Sequence, residues 1–150
     1  LVAQITTALR RAGAPANRLR LEVTEAALAP RMEEAIEKMN ALSAIGVGFA
    51  IDDFGIGYSS IRQLKRMPLA ALKIDQTFVR DLLTDPDDAI IAGTIIGLAQ
   101  SLGVSVVAEG VEDESQRALL STMGCVAYQG HLFAWPMPIE EFDAFLLRPL

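Results

Sequence analysis

Residues 49–60 have the sequence Phe49-Ala50-Ile51-Asp52-Asp53-Phe54-Gly55-Ile56-Gly57-Tyr58-Ser59-Ser60. The apolar run 47–51 predicts a buried strand, which ends at two adjacent carboxylates and a loop with two glycines. Neighbouring strand side chains point to opposite faces, so Asp52 and Asp53 converge on one site only if the backbone turns or something between them draws both in. A shared proton or a divalent cation would offset their repulsion, and we favour the cation because similar polar clusters recur along the chain.

The composition indicates one globular domain with a substantial core. The chain has 150 residues, of which 51% are hydrophobic and 21% charged. Its net charge of −6, with no run of Lys or Arg longer than a pair, argues against polymeric nucleic acid or a membrane surface as a partner. The single cysteine, Cys125, excludes an internal disulfide and favours a cytoplasmic location, although the parent protein could still be anchored to a membrane.

Strand and helix patterns alternate along the chain and are joined by short connections. Strands are predicted at residues 19–23, 47–51, 70–75, 104–108 and 125–128. Helices are predicted at residues 2–12, 32–45, 78–83, 89–102, 115–123 and 139–147, with a further short one after Ser60. This alternation is typical of right-handed crossover units on a parallel sheet that is covered on both faces.

Polar side chains stand just past each of the five strands. They are Glu22 and Glu25, Asp52 and Asp53, Lys73 and Asp75, Glu109 and Glu112, and Gln129. In a barrel of parallel strands these ends crowd onto one rim, whereas in an open sheet they spread along a line. The many carboxylates favour the barrel, so the predicted fold is α/β of the TIM-type (β/α)8 class.

Five strands are too few for a closed barrel of this type, which needs eight strands and about 250 residues. We therefore expect residues 1–150 to be the C-terminal portion of a single domain, with about three strand-helix units before Leu1. The alternative is a partly open sheet, whose edge would be covered by a partner or by segment swapping.

Five motifs in order resemble those of the EAL-domain family of cyclic di-GMP phosphodiesterases. They are Leu21-Glu22-Val23-Thr24-Glu25, the Asp52–Ser60 stretch quoted above, Leu72-Lys73-Ile74-Asp75, Ala108-Glu109-Gly110-Val111-Glu112, and Gln129-Gly130 followed by Phe133. The resemblance extends from near Leu1 to near Leu150. It implies a TIM-like barrel that binds two divalent cations, Mg²⁺ or Mn²⁺, and hydrolyses cyclic di-GMP to linear pGpG.

The resemblance also implies roles for the metal ligands and the catalytic groups. Glu22 and Asp52 would hold the first cation, and Asp52 would bridge to a second cation that Asp53 also holds. Lys73 would orient or deprotonate the attacking water. Glu109 and Gln129 would complete the catalytic set. Hard oxygen donors suit Mg²⁺ or Mn²⁺, and the lack of a His or Cys cluster argues against zinc.

A second group of residues would support this site. Glu25 would brace the glycine loop that contains Gly55, Gly57 and Ser59, while Asp75 and Glu112 would be supporting residues.

Simpler interpretations exist for several of these residues. Taken alone, Glu22, Glu25 or Gln129 is more often a solvated strand end, and Lys73 could pair with Asp75. Trp135 lies where a base or a partner could stack, yet a lone Trp is more often packed. His131 is expected to be a packed or surface residue and not a catalytic one.

Two departures from the family pattern bear on activity. The namesake Glu-Ala-Leu strand and a downstream Asn, both first-metal ligands in the family, have no counterpart in residues 1–150, so the isolated segment is expected to be inactive. Ile56 stands where the family usually has Thr, and it could disturb the loop that couples metal binding to dimerisation.

Three functional hypotheses follow. The first is a two-metal phosphodiesterase, and the second is a non-catalytic cyclic di-GMP receptor, which Ile56 favours. The third is a dimerising module that pairs through the helix after Ser59 and the strand leading to Asp75, either as a homodimer or as a swapped oligomer.

Overall fold

The computed structural model of the chain describes residues 1–56 and 60–147. One parallel sheet crosses it, formed by the strands β1 (Arg20–Thr24), β2 (Gly48–Phe54), β3 (Ala71–Ile74), β4 (Ser105–Ala108) and β5 (Ala127–Tyr128). The helices are α1 (Val2–Ala12), α2 (Glu25–Leu28), α3 (Met32–Ser43), α4 (Ile61–Leu64), α5 (Gln76–Arg80), α6 (Pro86–Leu102), α7 (Glu114–Met123) and α8 (Ile139–Leu146). In these two ranges no helix is both long and apolar enough to cross a bilayer.

The strands lie side by side in the order in which they occur in the chain, β1-β2-β3-β4-β5, and every neighbouring pair is parallel. A doubly wound open sheet reverses its strand order at a switch point, whereas a barrel adds each new strand beside the last. The predicted parallel α/β fold of the TIM type is confirmed. Sequential winding also brings the carboxyl ends of all five strands to one edge.

The core lies on both faces of the central strands. Ile51, Leu72 and Ile74 are completely buried, as β3 is throughout its length. Helices α3 and α6 supply the apolar side chains that cover the sheet, among them Leu42 and Ile96. Because every residue of β3 is buried, a charged residue on that strand must find its partners within the protein.

Several strand and helix ends differ from the prediction by one to three residues, and at β2 the difference matters for the site. Strand β2 does not end before Asp52 but continues to Phe54, which is buried. The pairing of β2 with β3 is irregular between Ile51 and Phe54, which is the position of a bulge. The two carboxylates therefore lie inside the strand, at this irregularity.

Candidate functional site

Lys73 lies at the centre of a cluster of carboxylates. Its Nζ atom is 2.6 Å from Glu22 Oε2, 2.9 Å from Asp52 Oδ1 and 2.7 Å from Glu109 Oε1. These residues come from β1, β2, β3 and the position just after β4, so four adjacent strands contribute to the cluster. The Lys73 side chain is only 5% exposed, which leaves the three carboxylates as the counter-charges for a buried ammonium group.

The bulge in β2 explains how two adjacent aspartates serve one site. Asp53 has a φ of 52°, in the left-handed region, and it is the one non-glycine residue there among the described residues. This turn of the backbone abolishes the alternation that would place Asp52 and Asp53 on opposite faces. As a result one carboxylate oxygen each from Asp52, Asp53 and Glu109 lie within 4.8 Å of one another.

The pKa values in the cluster show how strongly its charges interact. Burial lowers the pKa of Lys73, but its close contacts with Glu109, Glu22 and Asp52 outweigh burial and leave the pKa raised. Burial raises the pKa of Asp52, yet its contacts with Lys73 and Glu109 leave that pKa lowered. In this arrangement Lys73 remains a firmly protonated ammonium and Asp52 remains ionised.

The pKa values of Glu109 and Asp53 are shifted upward, opposite to that of Asp52. Burial, followed by repulsion from Asp52, raises the pKa of Glu109 despite the nearby ammonium of Lys73. Partial desolvation, a contact with Asp75 and the charge of Asp52 raise the pKa of Asp53. Burial is the largest cause in both acids, and the charge of Asp52 adds to it.

The donor set fits a divalent cation. Asp52 Oδ1 is buried and has no aligned hydrogen-bond donor among the described residues, since its 2.9 Å approach to Lys73 lacks hydrogen-bond geometry. Together with oxygens of Asp53 and Glu109 it offers the hard ligands that Mg²⁺, Mn²⁺ and Ca²⁺ prefer. A cation here would satisfy that oxygen and offset the repulsion between the carboxylates.

A polar cavity of about 290 Å³ opens beside the carboxylates. It is lined by Asp53, Asp75, Gln76, Glu109, Gly110, Glu112, Gln129, Gly130 and His131. Thus Gln129 and Glu112 line the same cavity as Asp53 and Glu109, two of the clustered carboxylates. A second cavity, of about 330 Å³, is mostly apolar, lies beside β1 and α3, and holds none of the predicted site residues.

Gln76 and His131 were not predicted as site residues, although both line the polar cavity. Gln76 directly follows Asp75 at a strand end, and this position was a signal that could have identified it. His131 follows the Gln129-Gly130 motif, and its Nδ1 lies 3.8 Å from Glu112 Oε1. A lone histidine in an apolar context gave no comparable signal.

The predicted supporting residues have separate places. Glu25 is buried at the start of α2, and Gly55 adopts a φ of 108°, while Gly57 and Ser59 lie outside the described residues. Asp75 caps α5, because its Oδ1 accepts hydrogen bonds from both the backbone N and the Oγ1 of Thr77.

The alternative in which Lys73 pairs with Asp75 is wrong. The Nζ of Lys73 contacts Glu22, Asp52 and Glu109 instead. The reason is that β3 ends at Ile74, where the chain turns into a helix and Asp75 becomes its cap.

Trp135 is not packed in the described part of the chain, contrary to the simpler expectation. It is 69% exposed and stacks on His131, with ring centroids 3.7 Å apart and an interplanar angle of 15°. The pair lines an apolar groove beside Phe142, and this groove adjoins the polar cavity through Gln129 and Gly130.

The family profile of the EAL domain matches residues 1–136. The chain belongs to the EAL domain family. A bifunctional diguanylate cyclase/cyclic di-GMP phosphodiesterase of Pseudomonas aeruginosa, MucR, is 44% identical to this EAL chain over 144 residues, which are 96% of the chain. The solved structure of the MucR phosphodiesterase with cyclic di-GMP superimposes with a TM-score of 0.91 and covers 95% of the chain.

A manganese and cyclic di-GMP complex of BlrP1 from Klebsiella pneumoniae is more distant. Its TM-score is 0.83 at 32% identity over 90% of this EAL chain. The likeness to solved EAL domains confirms the fold that the resemblance implied. The chain spans 21% of the length of MucR, 57% of the solved MucR phosphodiesterase and 34% of the BlrP1 chain.

Proposed function

We propose that this EAL segment supplies most of the active site of a cyclic di-GMP phosphodiesterase, which hydrolyses one phosphodiester bond to give linear pGpG. The observation that carries the proposal is the convergence of Glu22, Asp52 and Glu109 on Lys73, within 2.6–2.9 Å, beside a polar cavity. The names of its relatives support the substrate, since MucR is a cyclic di-GMP phosphodiesterase and its solved domain contains that nucleotide.

The cation requirement follows from charge. A phosphodiester is an anion, and a cluster whose acids already repel one another does not admit it without added positive charge. Asp52, Asp53 and Glu109, with Glu22 beside them, would hold Mg²⁺ or Mn²⁺, and the manganese in the BlrP1 complex supports this choice. Two such cations stabilise the entering and leaving oxygens of an in-line phosphoryl displacement.

The residues of the chain would orient the reactants around the cations. Lys73, whose Nζ lies 2.6–2.9 Å from three of these carboxylates, would orient the attacking water beside the cations. Gln129, at the wall of the same cavity, positions the water or a neighbouring ligand.

We further propose that residues 1–150 alone hydrolyse the substrate poorly or not at all. The namesake Glu and the downstream Asn of the family would complete the first metal site, and they have no counterpart in this sequence. The full-length protein should therefore show turnover where a purified 1–150 segment does not.

Self-association through α4 is a further part of the proposal, whereas β3, which was also expected to border the pairing surface, is wholly buried between β2 and β4. Ile56, in the glycine loop, and Ile61, at the start of α4, are 59% and 60% exposed. Exposed branched apolar side chains favour burial against a second copy. Sedimentation of the full-length protein would give a dimer mass, whereas an Ile61→Glu variant would sediment as a monomer. A monomeric wild-type protein would reject this part.

The central test is turnover by the full-length protein with Mg²⁺ or Mn²⁺, with pGpG followed by chromatography. Asp52→Asn should abolish turnover while the protein stays folded, and Arg66→Ala, which removes an exposed ion pair with Glu33, should retain it. Binding of cyclic di-GMP without hydrolysis would support the receptor hypothesis, for which Ile56 is the favouring feature. Neither binding nor hydrolysis would reject both.

A further inference from the structure

Gln116 is a buried polar side chain with an unusual set of contacts. It is 5% exposed, and it lies on α7, outside the carboxylate cluster. Its Oε1 accepts hydrogen bonds from the backbone N of Glu112, at 2.8 Å, and of Asp113, at 3.2 Å. Its Nε2 donates to the carbonyl oxygens of Val79, at 3.1 Å, and Arg80, at 3.3 Å.

The acceptor half of the Gln116 amide is explained by helix capping. Asp113 caps α7 and accepts a hydrogen bond from the backbone N of Gln116, which completes a reciprocal capping box. Gln63 forms the same box with Ser60 at the start of α4. The donor half of Gln116 has no place in a capping box, because it crosses to the C-terminal end of another helix, α5.

The two segments that Gln116 joins both contribute residues to the lining of the polar cavity. Residues 109–113 carry Glu109 and Glu112, while α5 begins with Gln76 directly after its cap Asp75. Backbone bonds already fix the first part of residues 109–113, since Glu109 N donates to Ile74 O and Val111 N donates to Gln129 O. The amides of Glu112 and Asp113 are held by Gln116.

The two segments also meet at a tight contact, where a β-carbon on Gly110 would lie 2.6 Å from the Cβ of Gln76. This contact involves Gly110, whereas Glu112 and Asp113 are tied to α5 through another side chain. The Gln116 amide supplies that tie, and its four hydrogen bonds leave neither of its polar atoms unpaired.

We propose that Gln116 is a positioning residue for the polar cavity: it ties Glu112 and Asp113 to α5 and so fixes the relative position of two segments that line the nucleotide site. The inference rests on the proposed function for its ligand, cyclic di-GMP. It assigns to one amide both the helix cap and the relative position of two cavity-lining segments.

Two variants of the full-length protein separate these roles. Gln116→Glu keeps the acceptor that caps α7 and loses the donor to Val79 and Arg80, whereas Gln116→Met loses both. Ile36→Val in α3 is the control, because it loosens the buried core without touching the cavity. The affinity for cyclic di-GMP, the KM and the kcat are measured well below the melting temperature of every variant.

We expect Gln116→Glu to raise Kd and KM by about three- to tenfold with a smaller change in kcat, and Ile36→Val to leave all three near the wild-type values. An unchanged Kd and KM in both Gln116 variants, or the same change in the control, would overturn the proposal. Hydrogen exchange at the amides of Glu112 and Asp113 gives a readout without ligand, and it should quicken in Gln116→Met.

These outcomes can be told apart from failure of the proposed function. A wild-type protein that neither binds nor hydrolyses cyclic di-GMP rejects that function, while exchange at Glu112 still tests whether Gln116 holds the wall. Unchanged exchange in Gln116→Met would show that the wall is fixed by other contacts.

Discussion

Gly130 lies directly against the backbone of Val111. A β-carbon at position 130 would be 2.2 Å from the Val111 carbonyl oxygen and 2.4 Å from its nitrogen. The backbone N of Val111 donates to the oxygen of Gln129, and the N of Leu132 donates to the oxygen of Val111. This close crossing holds the segment with Gln129 against the segment that starts at Glu109, so the motif needs glycine for its lack of a side chain.

Replacing Gly130 by Ala should destabilise the protein and separate the two segments. The obstructing atoms are backbone and cannot rotate away, so we expect a loss of about 2 to 3 kcal/mol in the free energy of unfolding. Gly97→Ala is the control, because the site of its β-carbon in α6 is open space and alanine favours a helix by about 1 kcal/mol. Chemical denaturation measures both, and equal effects would contradict the close-crossing argument.

Replacing Lys73 by Met should leave three carboxylates without the ammonium group that balances their charge. We expect a loss of up to about 3 kcal/mol in stability, less than for a fully buried pair because Glu22 is about half exposed. Turnover should fall to background. Lys73→Arg keeps the positive charge, so it should be more stable than Lys73→Met. It should recover less turnover than stability, because the planar guanidinium of Arg differs in shape from the compact ammonium of Lys. Equal stability of Lys73→Met and wild type at neutral pH would show that the ion pairs contribute nothing.

The left-handed backbone of Asp53 predicts different outcomes for two substitutions. Asn tolerates a φ of 52° as well as Asp does, so Asp53→Asn should fold normally and lose affinity for Mn²⁺. A β-branched residue is strained there, so Asp53→Val should also lose about 1 to 3 kcal/mol of stability. Thermal melts and Mn²⁺ titration measure the two effects separately. Similar melting temperatures for both variants would argue against a strained residue 53.

The raised pKa of Glu109 gives the site a pH dependence of known sign. A group with a raised folded pKa contributes stability at low pH, which is lost as pH rises from its ordinary value of 4.5 through the folded value. Gln at position 109 mimics the protonated form, so metal-free Glu109→Gln should gain stability relative to wild type over that rise.

Divalent cations should compete with the same protons. Since they bind ionised carboxylates, the melting-temperature increase that Mn²⁺ gives the wild type should grow as pH rises above 4.5. Glu112→Gln, at a cavity wall outside the three-oxygen cluster, is the comparison. If the melting-temperature increase caused by Mn²⁺ stayed constant with pH, this would count against a cation bound to these acids.

Replacing Ile56 by Thr tests the one family departure within the described loop. The side chain is 59% exposed, so the change should alter stability by less than about 0.5 kcal/mol. If the missing hydroxyl weakens the site, turnover of the full-length protein should rise in Ile56→Thr with little change in the affinity for cyclic di-GMP. Unchanged turnover would show that the loop works without the hydroxyl.

The sequence by itself determined the fold class and the residues that surround the site. A strand buried on both faces and a helix with one apolar face space their apolar residues differently along the sequence, so the two can be told apart. Their five alternations specify a parallel sheet. Polar residues near the carboxyl end of each strand could be assigned to one edge, because parallel strands bring these ends together, although Glu22 and Lys73 lie within β1 and β3, whereas Glu109 follows its strand. Glu22, Lys73 and Glu109 were found this way without knowledge of any distance.

Only the tertiary structure decided how these residues interact. The bulge that turns Asp53 into the cluster depends on pairing with β3, the raised pKa of Lys73 depends on three partners distant in sequence, and Gln116 reaches a helix 36 residues away. Periodicity reports which face a side chain occupies. Distances and electrostatic shifts depend on chain segments that meet only after folding, and no local pattern encodes them.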